Sequence, residues 1–135
     1  MKRRVVVTGI GAVTPIGVGK DALWDALARG VSGIGPITRF DAADYPTRFA
    51  VEVRQFDPTE YMDRKDARRL DRFVQYAWAA TRMALEDAKL DPARVDGERM
   101  GVLIGSGIGG IEVLEQQIRV LAERGPSRVS PFLVP

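Results

Sequence analysis

The sequence contains no cysteine and no histidine. The first absence removes disulfides, thiolate metal sites and a thiol nucleophile. The second removes the commonest general base and the commonest metal ligand. No apolar run approaches the roughly 20 residues needed to span a bilayer. The opening Met1-Lys2-Arg3-Arg4-Val5-Val6-Val7 is basic and then apolar, but it breaks at Thr8-Gly9, too soon for the core of a signal peptide. A cytoplasmic location is therefore expected. Net charge is also small, at +2 over 135 residues, so any recognition of anions must come from clustering. What remains for chemistry is backbone N–H groups, carboxylates, hydroxyls, lysines and arginines, which is little for an enzyme.

With 45% hydrophobic and 28% charged residues, the composition is that of an ordinary globular chain of single-domain length. Arg4-Val5-Val6-Val7-Thr8 is β-branched without alternation, which predicts a strand buried on both faces. A glycine-rich turn, Gly9 to Gly17, leads to a helix expected over about Lys20 to Arg29, with Ala22, Leu23, Ala26 and Leu27 on one face. Residues 32–58 are rich in Gly, Pro, Asp and Thr and read as an excursion, with Phe49 to Val53 as a minor strand. The longest helix is expected over about Asp71 to Lys89, from Phe73, Ala77, Ala80, Ala84 and Ala88 at helical spacing. Met100 to Ile104 reads as a second buried strand, and Ile111, Leu114, Ile118 and Leu121 as the stripe of a third helix stopped at Gly125-Pro126. The alternation argues for an α/β fold. Two strands offer too little sheet for three amphipathic helices, since an isolated pair is marginal in water. The chain is therefore expected to be an incomplete domain.

Two features could carry a ligand. Gly105-Ser106-Gly107-Ile108-Gly109-Gly110 fits G-x-G-x-x-G between a predicted strand and a predicted helix, where a pyrophosphate could sit on the helix N-terminus. Against it, no closing strand and no acidic residue about 20 positions on follow. The plainer explanation is a pair of turns, here and at Gly9 to Thr14, packed close to a neighbouring backbone with glycines chosen for positive φ. The second feature is Asp63 to Arg72, with five cations in ten positions. On one continuous helix Arg64, Arg68 and Arg72 would stack beside a row of Lys65 and Arg69, at an end where cations oppose the helix dipole. Such a run is either a solvated, salt-bridged face or a docking patch for an anionic partner, a nucleic acid or an acidic protein surface.

Several stretches together resemble a known family. Arg3 to Gly11 with Thr14-Pro15-Ile16-Gly17, Gly30-Val31-Ser32-Gly33-Ile34, Phe40-Asp41 and Phe73-Val74-Gln75-Tyr76-Ala77 are similar to the opening of the β-ketoacyl-acyl carrier protein synthases, the elongation condensing enzymes above all. Ile104 to Gly110 and Ser130-Pro131-Phe132-Leu133-Val134-Pro135 complete the set, which covers essentially the whole chain. The resemblance implies a thiolase-like fold, layered α-β-α-β-α when complete, with residues 1–135 as part of its first half, cut before the nucleophile segment. It implies a homodimer that performs decarboxylative Claisen condensation of acyl and malonyl units in fatty acid elongation. The family's cysteine and two histidines are absent here, so this chain carries no catalytic residue and is expected to be inactive alone. The resemblance places Lys65, Arg68, Arg69 and Arg128 in the patch that docks the acidic acyl carrier protein. Ser127 stands where relatives commonly carry a further basic residue, which weakens the patch by one charge. It places Ile108, Leu133 and Val134 at the acyl pocket, Leu133 and Val134 reaching it across the dimer. No cofactor, metal, nucleic acid or membrane is implied. The alternative is a non-catalytic ketosynthase-like module that binds carrier protein or a partner subunit.

Overall fold

The computed structural model describes residues 3–133, so the expectation for Val134 lies outside the described residues. The chain divides into two compact units. One holds the described residues up to Asp57 together with Ala79–Asp91, and the other holds Pro58–Trp78 with the described residues from Pro92 onward.

In the first unit, Val13–Thr14 (β1) and Gly17–Val18 (β2) form a tight antiparallel hairpin around Pro15-Ile16, with Val13 opposite Val18. The Thr14 hydroxyl donates to the Gly17 carbonyl at 2.8 Å and closes the turn. The helix Lys20–Ala28 (α1) follows and ends before Arg29-Gly30, close to expectation. Ala26 is its buried residue, whereas Trp24 and Leu27 stay exposed. Ile34–Pro36 (β3) pairs antiparallel with Phe49–Val51 (β4), so the minor strand exists.

The C-terminal half of the long helix packs on the first glycine turn. A Cβ on Gly9 would lie 2.2 Å from the Ala84 carbonyl oxygen, and one on Gly11 would lie 1.8 Å from that of Ala80. The alanines at positions 80, 84 and 88, seen in the sequence as an apolar stripe, are small because a backbone lies against them. Asp87 ties the same joint by accepting from the Ile10 N–H at 3.0 Å and pairing with Lys20 at 2.6 Å. The Lys20 ammonium first, and the Ile10 N–H after it, hold the Asp87 carboxyl below the usual carboxylate range.

In the second unit, the helix Arg64–Arg69 (α2) is followed by Leu70-Asp71, Leu70 with an extended backbone, and then by Arg72–Asp87 (α3), whose residues from Ala79 onward belong to the first unit. The single helix expected through Asp63 to Arg72 is thus two. α3 ends at Asp87 with Lys89 in the left-handed region, and Leu90 N–H reaches back to the Leu85 carbonyl. The break before α3 is held by Gln75, the buried polar residue among the described residues. Its side-chain amide donates to the carbonyls of Ala67 at 2.8 Å and Leu70 at 2.9 Å. Gln75→Met, which keeps the length and removes both donors, should cost about 1–3 kcal/mol by urea unfolding. A loss under about 0.5 kcal/mol would mean that the corner does not depend on this amide. Ile111–Arg124 (α4) and a 3-10 turn at Pro126–Arg128 complete the unit.

The two runs read as central strands behave differently from expectation. Residues 4–8 and 100–104 carry no strand ladder among the described residues. Their side chains consequently face solvent: Val5 is 89% and Leu103 98% exposed. The stripe of α4 is likewise open, with Ile111, Leu114, Ile118 and Leu121 all exposed. Among the described residues the buried apolar side chains are only Ala26, Ala42 and Ala79.

Candidate functional site

The cationic surface is built from the ends of short elements. Asp63 caps α2, its carboxylate accepting from the N–H groups of Lys65 and Asp66, both at 2.8 Å. Arg68 and Arg69 therefore fall in the last turn of α2, where cations favour the helix dipole. This corrects the expectation for Arg68 and Arg69; Arg64 and Lys65, at the start of α2, and Arg72, at the start of α3, do oppose a helix dipole. Lys65, Arg68, Arg69 and Arg128 are all exposed, and none forms an ion pair with a carboxylate among the described residues. A salt-bridged face is therefore not what these four make.

The segment after α4 returns to this surface. Ser130 N–H donates to the Gln117 side-chain oxygen at 2.7 Å, which fixes the segment against the middle of α4. The Ser130 hydroxyl accepts from Phe132 N–H at 3.1 Å, and the Ser130 carbonyl accepts from Leu133 N–H at 3.2 Å. The resulting turn sets the Phe132 ring under Arg69, with the guanidinium carbon 5.0 Å from the ring centroid. Arg128 lies in the 3-10 turn just before.

The glycine turn ahead of α4 shows no sign of a phosphate cradle. Gly109 alone among Gly105, Gly107, Gly109 and Gly110 has positive φ, at 74°, with its N–H held by the Ser106 hydroxyl at 2.9 Å. Gly110 precedes α4 and has no side chain to cap it. Asp71, at the start of α3, does so instead, accepting from Val113 N–H at 3.0 Å. The position an anion would take at this helix end is thus filled by the protein's own carboxylate, and a pyrophosphate there would meet like charge. The dinucleotide alternative fails on that ground. The plainer explanation also needs correction: close backbone packing holds at Gly9 and Gly11, but nothing lies within 4 Å of a Cβ built on Gly105 or Gly107. Ile108 stands exposed on this turn, and Leu133 is half-buried in the turn that Gln117 pins. The two are thus tied to different stretches of α4.

Residues 2–135 match the family model of the β-ketoacyl synthase N-terminal domain. The chain belongs to the β-ketoacyl synthase family. As a β-ketoacyl synthase chain it is 53% identical over 134 residues to the 3-oxoacyl-(acyl-carrier-protein) synthase 2 of Synechocystis sp., covering 99% of this chain and 32% of that protein. The namesake of Vibrio harveyi is 51% identical over the same shares. The chain therefore spans about a third of the length of the curated relatives it matches. Among solved structures it is similar to the ishigamide ketosynthase/chain length factor, with a TM-score of 0.84 at 36% identity over 98% of this chain and 33% of that one. A second is a type II PKS acyl-carrier protein in complex with its ketosynthase bound to the hexaketide, with a TM-score of 0.77, 26% identity and coverage of 98% and 35%. The fold is accordingly the α/β, thiolase-like fold of the ketosynthases, represented over part of its length. No described helix is long and apolar enough to cross a membrane.

Sequence reasoning missed four residues that build this β-ketoacyl synthase surface: Asp71, Gln75, Gln117 and Phe132. An aspartate just ahead of a helix is a capping signal in any sequence. That its acceptor also serves Val113, 42 residues on, carried no such signal.

Proposed function

We propose that this chain is the N-terminal part of a 3-oxoacyl-(acyl-carrier-protein) synthase of fatty acid elongation, and that its own contribution is to receive the carrier protein and to line the acyl pocket. In the condensation the malonyl carbon–carboxylate bond breaks as carbon dioxide leaves, its electron pair forms the carbon–carbon bond to the acyl carbonyl, and the thiol that carried the acyl group departs. The reaction calls for a nucleophile and a proton-handling pair, and these residues do not supply them, since cysteine and histidine are absent. In this reading they come from the remainder of the synthase. So do the sheet neighbours of residues 4–8 and 100–104 and the cover for α4, whose exposed apolar side chains suit a larger layered fold. Residues 1–135 would then be part of the synthase's N-terminal domain, within a cytoplasmic homodimer.

The observation that carries the docking role is the set Lys65, Arg68, Arg69 and Arg128, exposed and without carboxylate partners among the described residues, in a chain half-identical to synthases named for acyl carrier protein. Acidic surfaces are bound by such unpaired cations, with attraction that falls as salt screens it. Ile108 and Leu133, with Val134 beyond the described residues, are assigned to the acyl pocket, Leu133 and Val134 across the dimer. The paired reversal Arg68→Glu and Arg69→Glu should weaken binding of acyl carrier protein at low salt by about tenfold or more, because each reversal sets like charge against the partner. The difference should shrink as salt is raised. Unchanged affinity at low salt would remove the docking assignment.

A further inference from the structure

The geometry points to Phe132 as a positioning residue of the docking surface: its ring holds the Arg69 guanidinium in place to meet an anionic group of the carrier protein. This rests on the docking role proposed above and adds a residue to it. An arginine side chain has many rotamers, and a partner that must order it on binding gives up affinity for each one frozen. Here the ordering is done beforehand. The guanidinium lies 5.0 Å from the ring centroid, within the range of a cation–π contact. A guanidinium held over a ring can still offer N–H groups to a carboxylate or phosphate.

The ring in turn is not free to drift. The Ser130 hydroxyl bonds to Phe132 N–H at 3.1 Å, and Gln117 holds Ser130 N–H at 2.7 Å from the middle of α4. A chain of local contacts thus runs from α4 through the turn to the ring and on to α2. Phe132 is 56% exposed among the described residues, with one face of its ring turned to Arg69. Arg69 also differs from its neighbours in the patch: of Lys65, Arg68, Arg69 and Arg128, it is the one with a recorded ring contact among the described residues.

The test is a double-mutant cycle on the protein in its native full length, read by titration with holo-acyl carrier protein at low salt. Phe132→Leu should weaken binding by about threefold, and Phe132→Tyr should restore it to within about twofold of the parent, since tyrosine keeps the ring face. In an Arg69→Ala background, Phe132→Leu should have no further effect. Thermal melts of the Phe132 variants should match the parent, which separates positioning from loss of fold. If Phe132→Leu weakens binding equally with and without Arg69, the ring acts by itself and the positioning role is overturned while docking stands. If the paired reversal of Arg68 and Arg69 leaves binding unchanged, docking and positioning fall together.

Discussion

A Gly11→Ala protein should lose about 3 kcal/mol or more of stability, the upper end of what overpacking usually costs. The added methyl would stand 1.8 Å from the Ala80 carbonyl oxygen and 2.8 Å from the Ala84 nitrogen. Both are main-chain atoms of α3 and cannot swing aside as a side-chain tip would. Relief requires the turn and the helix to separate, which would pull Ile10 N–H and Lys20 away from Asp87. Gly30→Ala makes a useful contrast: no atom lies within 4 Å of its Cβ, and only the backbone, at φ 66°, resists the change. That variant should lose about 1 kcal/mol. Urea unfolding followed by circular dichroism would compare them. A Gly11→Ala protein as stable as Gly30→Ala would show that the turn does not lie against α3 as described.

Removing the Asp71 carboxylate should be the second large effect. Asp71→Ala strips the cap from Val113 N–H, and with it the bond of a charged acceptor that joins the start of α3 to the first turn of α4. Capping losses run to about 2 kcal/mol, and a bond to a charged group contributes about as much. The expected loss is therefore about 2 kcal/mol. Asp71→Asn keeps an acceptor oxygen but loses the charge that favours a helix N-terminus, so it should lose about half as much. Equal losses in both variants would mean that charge, and not the cap, is what matters. No loss in either would return the α4 N-terminus to the list of open anion sites.

The sequence showed some things and concealed others for definable reasons. α1, α4 and the long helix were legible because apolar side chains recur at helical spacing over several turns, and Gly30 and Gly125 punctuate two of them. The hairpin at Val13–Val18 was hidden in what looked like a plain glycine turn, because two-residue strands leave no periodicity to detect. The runs 4–8 and 100–104 have strand composition, but a strand needs a neighbour, and residue type cannot say whether one is in reach. The continuous cationic helix failed at Leu70, since the spacing of Arg64, Arg68 and Arg72 carries no mark of a break. Its physical trace is Gln75, whose two donors are used on carbonyls at the end of the preceding helix. The four residues proposed for docking were named by resemblance, and all four are exposed, while the aromatic ring beneath Arg69 was passed over as part of an apolar tail.

The joint between the first glycine turn and α3 has one more consequence. Glycine and alanine have no side-chain rotamers to freeze, so bringing Gly9 and Gly11 against Ala80, Ala84 and Ala88 orders the backbone and almost nothing else. Two main chains come within contact distance with little loss of side-chain entropy beyond that of the chain itself. The same poverty of atoms removes any means of compromise. A joint made of flexible side chains can repack around an intruding methyl, whereas one made of backbone has no second arrangement to adopt.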